Sequence, residues 1–188
     1  YAADSLRLES DSVVDASGAN GGDILIEAEG GTLEALGTVT VEGTDGTGGR
    51  IRLLGEQVGL LNGAVVNADG TEGGGQVLIG GAQQGLGPEP NASDVYVDIN
   101  ATVGASSTVD GDGGEIIVFA AETARVPGDL TATGGPDGGD GGFIETSASL
   151  LSVTSTPNTG STHGAPGEWL IDPDLIVVSG NSTSEVVV

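Results

Sequence analysis

A repeated Gly-Gly pair followed by alternating aliphatic residues restricts the fold of this chain more than any other feature. The residues after each pair alternate between variable and aliphatic positions, as in 23–26 and 50–53. The last glycine of each copy stands at the following positions: Gly22, Gly49, Gly75, Gly114, Gly142 and Gly167. Four of the five intervals are 25 to 28 residues long, and one is 39. A period of this length is typical of proteins built from stacked, repeated units.

Each period has room for short strands and tight turns but not for a helix. The Gly-Gly strand is followed by two weaker strand signals, such as 32–36 and 38–41, and a turn rich in Gly, Asp and Asn closes the period, as at 15–20. Aliphatic residues that recur with a period of two lie on one face of a strand. We therefore predict an all-β fold, a right-handed parallel β-helix (a solenoid) with about 26 residues and three short strands per coil.

The one long interval contains an insertion. Removing the Gly- and Pro-rich residues 82–93 restores the period. We therefore expect a loop insertion at 82–93 that projects from one side of a rod of roughly six coils. The chain, 1–188, is then a single β-helix segment, in which 179–188 form a candidate linker and terminal strand. Because no basic and apolar leader follows Tyr1, we expect any targeting signal to have been removed or to lie upstream.

The charge of the chain excludes several classes of partner. There are 28 acidic residues against four arginines and no lysine, and the net charge is -24. Binding to nucleic acid or to an anionic membrane surface needs clustered cations, so neither is expected. Apolar runs are far shorter than the roughly 20 residues of a spanning helix, so membrane insertion is not expected either. Without cysteine, no disulfide can form.

Residue types that carry catalysis or bind metals are sparse. The single histidine, His163, lies in a turn-like segment, and zinc cannot find its usual ligands without cysteine. Carboxylates that are close in sequence lie in Gly- or Pro-containing segments, where Asp forms turns; these are Asp110/Asp112, Asp137/Asp140 and Asp172/Asp174. The segment that contains Phe143 does not match the calcium-binding nonapeptide motif of β-rolls, because Phe143 occupies the position of the Asp ligand. We predict no enzyme activity, no catalytic residue, no cofactor and no specific metal site.

Two other groups of residues are candidate sites. Asn-x-Ser/Thr sequons make Asn91, Asn100 and Asn181 candidate glycosylation acceptors. The apolar, β-prone residues Val186, Val187 and Val188 are candidates for self-association, since a β-helix coil can pair with a further strand. The alternative, that these valines begin the next coil of a longer chain, stays open.

Several blocks of the chain resemble a known family. The insertion and the strand after it (80–92 and 94–98), together with 141–147 and 167–176, are similar to recurring blocks of filamentous-haemagglutinin-like exoproteins of the two-partner secretion pathway. The resemblance extends, in order, over roughly 18–178. It implies export through an outer-membrane barrel secretion partner, folding outside the cell as a long right-handed β-helix, and sugars on some Asn sequons. It also implies a secreted, extracellular location on the cell surface of a Gram-negative-type bacterium.

These observations together predict a secreted, cell-surface structural or adhesive β-helix segment. A self-assembling extracellular filament subunit, joined end to end as a homo-oligomer, is an alternative, and a β-helix polysaccharide-active enzyme is a third. An adhesive segment would contact a host or cell-surface receptor or a polysaccharide.

Overall fold

The computed structural model describes residues 5–175, and almost all of the regular structure in this range is β-strand. The strands are β1 (Ser5–Leu8), β2 (Val13–Asp15), β3 (Asp23–Ala35), β4 (Thr38–Thr40), β5 (Arg50–Leu60), β6 (Val65–Asn67), β7 (Gln76–Ile79), β8 (Asp94–Val97), β9 (Thr102–Gly104), β10 (Glu115–Phe119), β11 (Thr123–Val126), β12 (Asp129–Thr131), β13 (Phe143–Val153) and β14 (Glu168–Leu175). One 3-10 turn covers Gln83–Gly85. Residues 5–175 contain no helical segment with the length and hydrophobicity of a membrane span.

Every strand pairing within residues 5–175 is parallel and joins one coil to the next. The Gly-Gly strands stack in the order β3, β5, β7, β10, β13 and β14, and the shortest strands stack as β2, β4, β6, β9 and β12. The register brings equivalent residues of each repeat side by side, so Ile24 pairs with Ile51 and Ile51 with Val77. The architecture is a parallel β-helix of about six turns, which confirms the predicted fold class.

The interior is filled by aliphatic ladders. Ile51, Val77, Ile116 and Ile144 are fully buried at equivalent positions of successive Gly-Gly strands. Val39 and Val66 form the matching ladder of the smaller sheet, and both are at most 1% exposed. The period-two alternation of the sequence therefore corresponds to residues that point alternately into and away from this core.

The predicted three short strands per coil are present in the coils of β7–β9 and β10–β12, but other coils differ from the prediction. In β3, β5 and β13 the first two predicted strands of the coil are one long strand of 11 to 13 residues. The register of β3 against β5 shifts between Ala28 and Thr32, and Gly30 within this stretch has a φ of +67°. A glycine in this left-handed region lets the chain turn a corner without leaving the sheet. The coils of β3 and β5 therefore each have one long strand and one short strand, β4 or β6.

The Gly-Gly pairs lie where backbones of adjacent coils approach most closely. A Cβ on Gly49 would lie 2.0 Å from the carbonyl oxygen of Gly22, and one on Gly48 would lie 1.9 Å from that of Ala68. The Gly49 N–H donates to the carbonyl oxygen of Val41 at 2.8 Å, which closes the coil on itself. Both glycines are therefore required by the space available rather than by a left-handed φ.

We predict that Gly49→Ala destabilises the fold by about 3 kcal/mol, because the methyl group must displace backbone of the neighbouring coil. Gly59→Ala is the matched control. Its Cβ would meet only the Leu61 side chain at 3.5 Å, an ordinary contact. It should be neutral or stabilise by up to about 1 kcal/mol. Chemical denaturation followed by circular dichroism measures both, and equal stabilities of the two variants would contradict the steric argument.

Candidate functional site

Residues 80–93, here called the strap, fold back over the outer face of the larger sheet. Glu89 forms an ion pair with Arg50 of β5, with Oε1 and Nη2 3.0 Å apart, and its side chain is only 6% exposed. The Gln84 N–H donates to Oε1 of Glu145 in β13 at 2.9 Å. Since β7 and β10 lie between β5 and β13 in the sheet, the strap crosses four neighbouring strands. The expectation that this loop projects from the rod is wrong.

The strap converts part of an outer face into a second buried layer. Leu78 and Ile117 pair in register and point away from the interior, yet they are 2% and 0% exposed. The ring of Phe119 lies against the strap, because a Cβ on Gly85 would be 2.5 Å from its Cζ atom. Residue type alone does not indicate this layer, since Leu25 of β3 occupies the same outward column and is 49% exposed.

Glu145 is the least expected member of this layer. Its side chain is fully buried, and Oε1 accepts hydrogen bonds from the Gln84 N–H and from the Ser147 hydroxyl at 2.7 Å. Its Oε2 atom has no hydrogen-bond partner among the described residues. Sequence reasoning missed this residue because it occupies a position that is outward-facing in the repeat. The carboxyl group serves as the point at which the strap is fastened to β13.

The two glycosylation candidates within the described range lie at the surface, but their side-chain amide nitrogens already donate hydrogen bonds within the chain. Nδ2 of Asn91 donates to the carbonyl oxygen of Gly85 at 3.0 Å, inside the strap. Nδ2 of Asn100 donates to Oδ1 of Asp98 at 3.2 Å. Attachment of a sugar at either nitrogen would require that hydrogen bond to rearrange. Asn181 and the self-association candidates Val186, Val187 and Val188 lie outside the described residues.

Two of the carboxylates singled out in the sequence, Asp112 and Asp140, connect turns of successive coils. Oδ1 of Asp112 accepts the N–H of Asp140, and Oδ1 of Asp140 accepts the N–H of Ala165, each at 2.7 Å. His163 is exposed in the turn beside them. Among residues 5–175 no three His, Asp or Glu side chains are grouped so as to hold a metal ion. These contacts account for Asp112 and Asp140 as turn residues.

The pKa values of two aspartates at the coil corners are shifted in opposite directions. Burial raises the pKa of Asp69, the hydrogen bond from the Ser106 N–H opposes this, and the Glu42 carboxylate adds to the increase. The Ser17 N–H and hydroxyl lower the pKa of the exposed Asp15 carboxyl. A carboxyl group whose pKa is raised in the folded state contributes stability at pH values below its unfolded-state pKa, and this contribution is lost as the pH rises through the folded-state pKa. A carboxyl group whose pKa is lowered contributes stability above its unfolded-state pKa, and this contribution is lost as the pH falls through the folded-state pKa.

We predict that Asp69→Asn becomes more stable relative to the unsubstituted protein as pH rises from about 3 through the raised pKa towards 7. Asp15→Asn should become less stable relative to it over the same interval, because the ionised carboxylate is the favoured form there. At each pH the melting temperature of the variant is compared with that of the unsubstituted protein, so the pH dependence that comes from the other acidic residues cancels. Parallel curves for Asp69→Asn and the unsubstituted protein would contradict the assignment.

We predict that Glu145→Ala lowers the free energy of unfolding by about 1–3 kcal/mol and increases hydrogen exchange at the Gln84 amide, because the strap loses its acceptor. Glu145→Gln keeps an accepting oxygen and should retain most of the protection at Gln84. Glu29→Ala, at an exposed position, is the control and should change stability by less than about 0.5 kcal/mol. Unchanged exchange at Gln84 in Glu145→Ala would show that this contact does not hold the strap.

Comparison with protein-family models and with curated protein sequences gave no match. Among solved structures, the fold is similar to that in the crystal structure of the HMW1 secretion domain from Haemophilus influenzae, with a TM-score of 0.60 and 23% sequence identity. The aligned region covers 89% of this chain and 48% of that chain, so this chain spans about half the length of the solved structure. At this level of identity the similarity is one of fold, and it places the chain among parallel β-helices of the kind seen in that domain.

Proposed function

We propose that this chain is a structural and adhesive β-helix segment of a secreted bacterial exoprotein that uses the two-partner route. The observation that carries the proposal is the continuous stack of coils. Interior positions from Ile24 to Ile144 are aliphatic and closely packed, and the backbone groups of each coil bind the next. A stack of this kind holds its outer faces at fixed spacings, which is what a surface stalk requires.

Three further observations support the route. The chain has no cysteine, so no disulfide-closed loop would obstruct its passage through a barrel as an unfolded polypeptide. Its fold is similar to that of a domain described as a secretion domain. Its sequence blocks resemble filamentous-haemagglutinin-like exoproteins. On this proposal the partner is an outer-membrane barrel, and the segment is located outside the cell or on its surface.

The alternatives from the sequence stay predictions. End-to-end filament assembly depends on Val186, Val187 and Val188, whose structure is not described. The polysaccharide-active enzyme requires carboxylates arranged around a bound chain, whereas Asp112 and Asp140 are engaged with turns of the next coil. The absence of enzyme activity likewise stays an expectation.

The route can be tested by placing residues 1–188 between the secretion domain of an established two-partner exoprotein and an epitope tag. The fusion protein is produced with the matching outer-membrane barrel. We expect the tag to become accessible to protease on intact cells, because a chain without disulfides can be threaded and then fold outside. Retention of the fusion protein in the periplasm, while the secretion domain alone is exported, would overturn the proposal.

A disulfide provides the matched control for threading. Val65 and Thr102 are paired neighbours in β6 and β9, and adjacent strands are about 4.8 Å apart, within the range a disulfide spans. The double variant Val65→Cys, Thr102→Cys should be exported when the periplasm is kept reducing and should stall when it is oxidising. Each single variant should be exported under both conditions.

A further inference from the structure

A shallow groove on the outer face of the larger sheet, beside the point where the strap ends at Ser93, combines features of a ligand site. It lies where Gly59, Tyr96 and Arg125 stack in register on β5, β8 and β11. The next residue below Gly59 in this column is Glu34 of β3. The groove has a volume of about 370 Å³, which is large enough for a sugar ring.

Gly59 creates the space at the centre of the groove. Neither a left-handed φ nor a close backbone contact requires a glycine here, because a Cβ would meet only the Leu61 side chain at 3.5 Å. Its two neighbours in the column, Glu34 and Tyr96, are two strand spacings apart, about 10 Å. Arg7, on the opposite side of Glu34 from Gly59, forms an ion pair with it. The slot between Glu34 and Tyr96 is therefore one coil wide along the stack and open to solvent.

The upper wall of the slot combines an exposed aromatic ring with a free cation. Tyr96 is 38% exposed. Arg125 is also exposed, and it is the one arginine that forms no ion pair within residues 5–175, whereas Arg7, Arg50 and Arg52 each have an acidic partner there. An unpaired arginine is unexpected on so acidic a protein, and its guanidinium group is available as a hydrogen-bond donor to a ligand.

The side wall supplies further polar groups. Gln57 and Asp94 lie in the adjacent outward column, where Nε2 of Gln57 is 3.4 Å from Oδ2 of Asp94. Thr123 extends the same column by one coil. The groove thus offers an aromatic face with amide, guanidinium, hydroxyl and carboxylate groups around it. These groups match a ring that has apolar C–H faces and hydroxyls at its edge.

We propose that this groove binds a neutral polysaccharide, with one hexopyranose ring in the slot at Gly59 and stacked on Tyr96. Arg125 and Gln57 donate hydrogen bonds to its hydroxyls, and Asp94 accepts one. An acidic polysaccharide is disfavoured because Glu34 and Asp94 flank the slot on a chain whose net charge is -24. An extended peptide is disfavoured because β5, β8 and β11 already use their backbone groups to pair with one another.

This inference specifies the ligand class for the adhesive role proposed above, and it rests on that role only for its biological meaning. Sugar binding does not depend on how the chain leaves the cell. The export experiment and the binding experiment therefore fail independently, and a failure of one identifies which proposal is wrong.

The test is calorimetric titration of the 188-residue chain with neutral hexasaccharides of β-1,4-glucan, α-1,4-glucan and β-1,4-mannan. Hexagalacturonate and a hexalysine peptide serve as charged probes. We expect at least one neutral probe to bind with a Kd on the order of 1 mM. Tyr96→Ala should weaken that binding about tenfold, and Gly59→Gln should abolish it by filling the slot.

Thr102→Gln, an exposed outward position on the smaller sheet, is the control for an added side chain and should bind as the unsubstituted chain does. Circular dichroism establishes that all three variants are folded. The proposal is overturned if no neutral probe binds even at a probe concentration tenfold above the expected Kd, on the order of 10 mM. It is also overturned if a charged probe binds more tightly than every neutral one, or if Gly59→Gln and Tyr96→Ala bind like the control.

Discussion

The close approach of backbones at the Gly-Gly pairs is the constraint on which the rest of the structure depends. With a carbonyl oxygen 2.0 Å from where a Cβ of Gly49 would lie, any side chain there would separate adjacent coils. The glycines let each coil close through an internal hydrogen bond, such as that from Gly49 to Val41, while the next coil stacks at normal strand spacing. The aliphatic ladders behind them can then pack without gaps from coil to coil.

The strap shows how an insertion can alter a regular solenoid without disturbing its core. It leaves the ladder positions unchanged and instead buries outward positions such as Leu78 and Ile117. Its fastening points are polar, namely the Arg50–Glu89 ion pair and the acceptor on Glu145. A buried carboxyl group with one unpartnered oxygen is costly, so the position of the strap is specified at the expense of some stability.

The distribution of arginines connects the charge of the chain with its surfaces. Three of the four form ion pairs with acidic partners: Arg7 with Glu34, Arg50 with Glu89 of the strap, and Arg52 with Asp23 of β3. Arg125 instead stands beside Tyr96 and the slot at Gly59, in a groove that Gln57 and Asp94 also line. On an otherwise regular rod, such a local departure from the pattern is where binding specificity can arise.

The parallel β-helix, its coil length and its core residues follow from the sequence, because the Gly-Gly spacing and the period-two alternation are local properties of the chain. Which outward residues are buried does not follow from them. Glu145 and Gln84 are 61 residues apart, and nothing in the local pattern around either residue indicates that they meet. The slot at Gly59 could not be predicted from the sequence either, since the space above a glycine in a strand depends on its neighbours in the adjacent coils. The sequence therefore determined the repeating interior, whereas the tertiary structure decided the layout of the outer faces, because contacts between side chains on different coils depend on how the insertion folds over the stack.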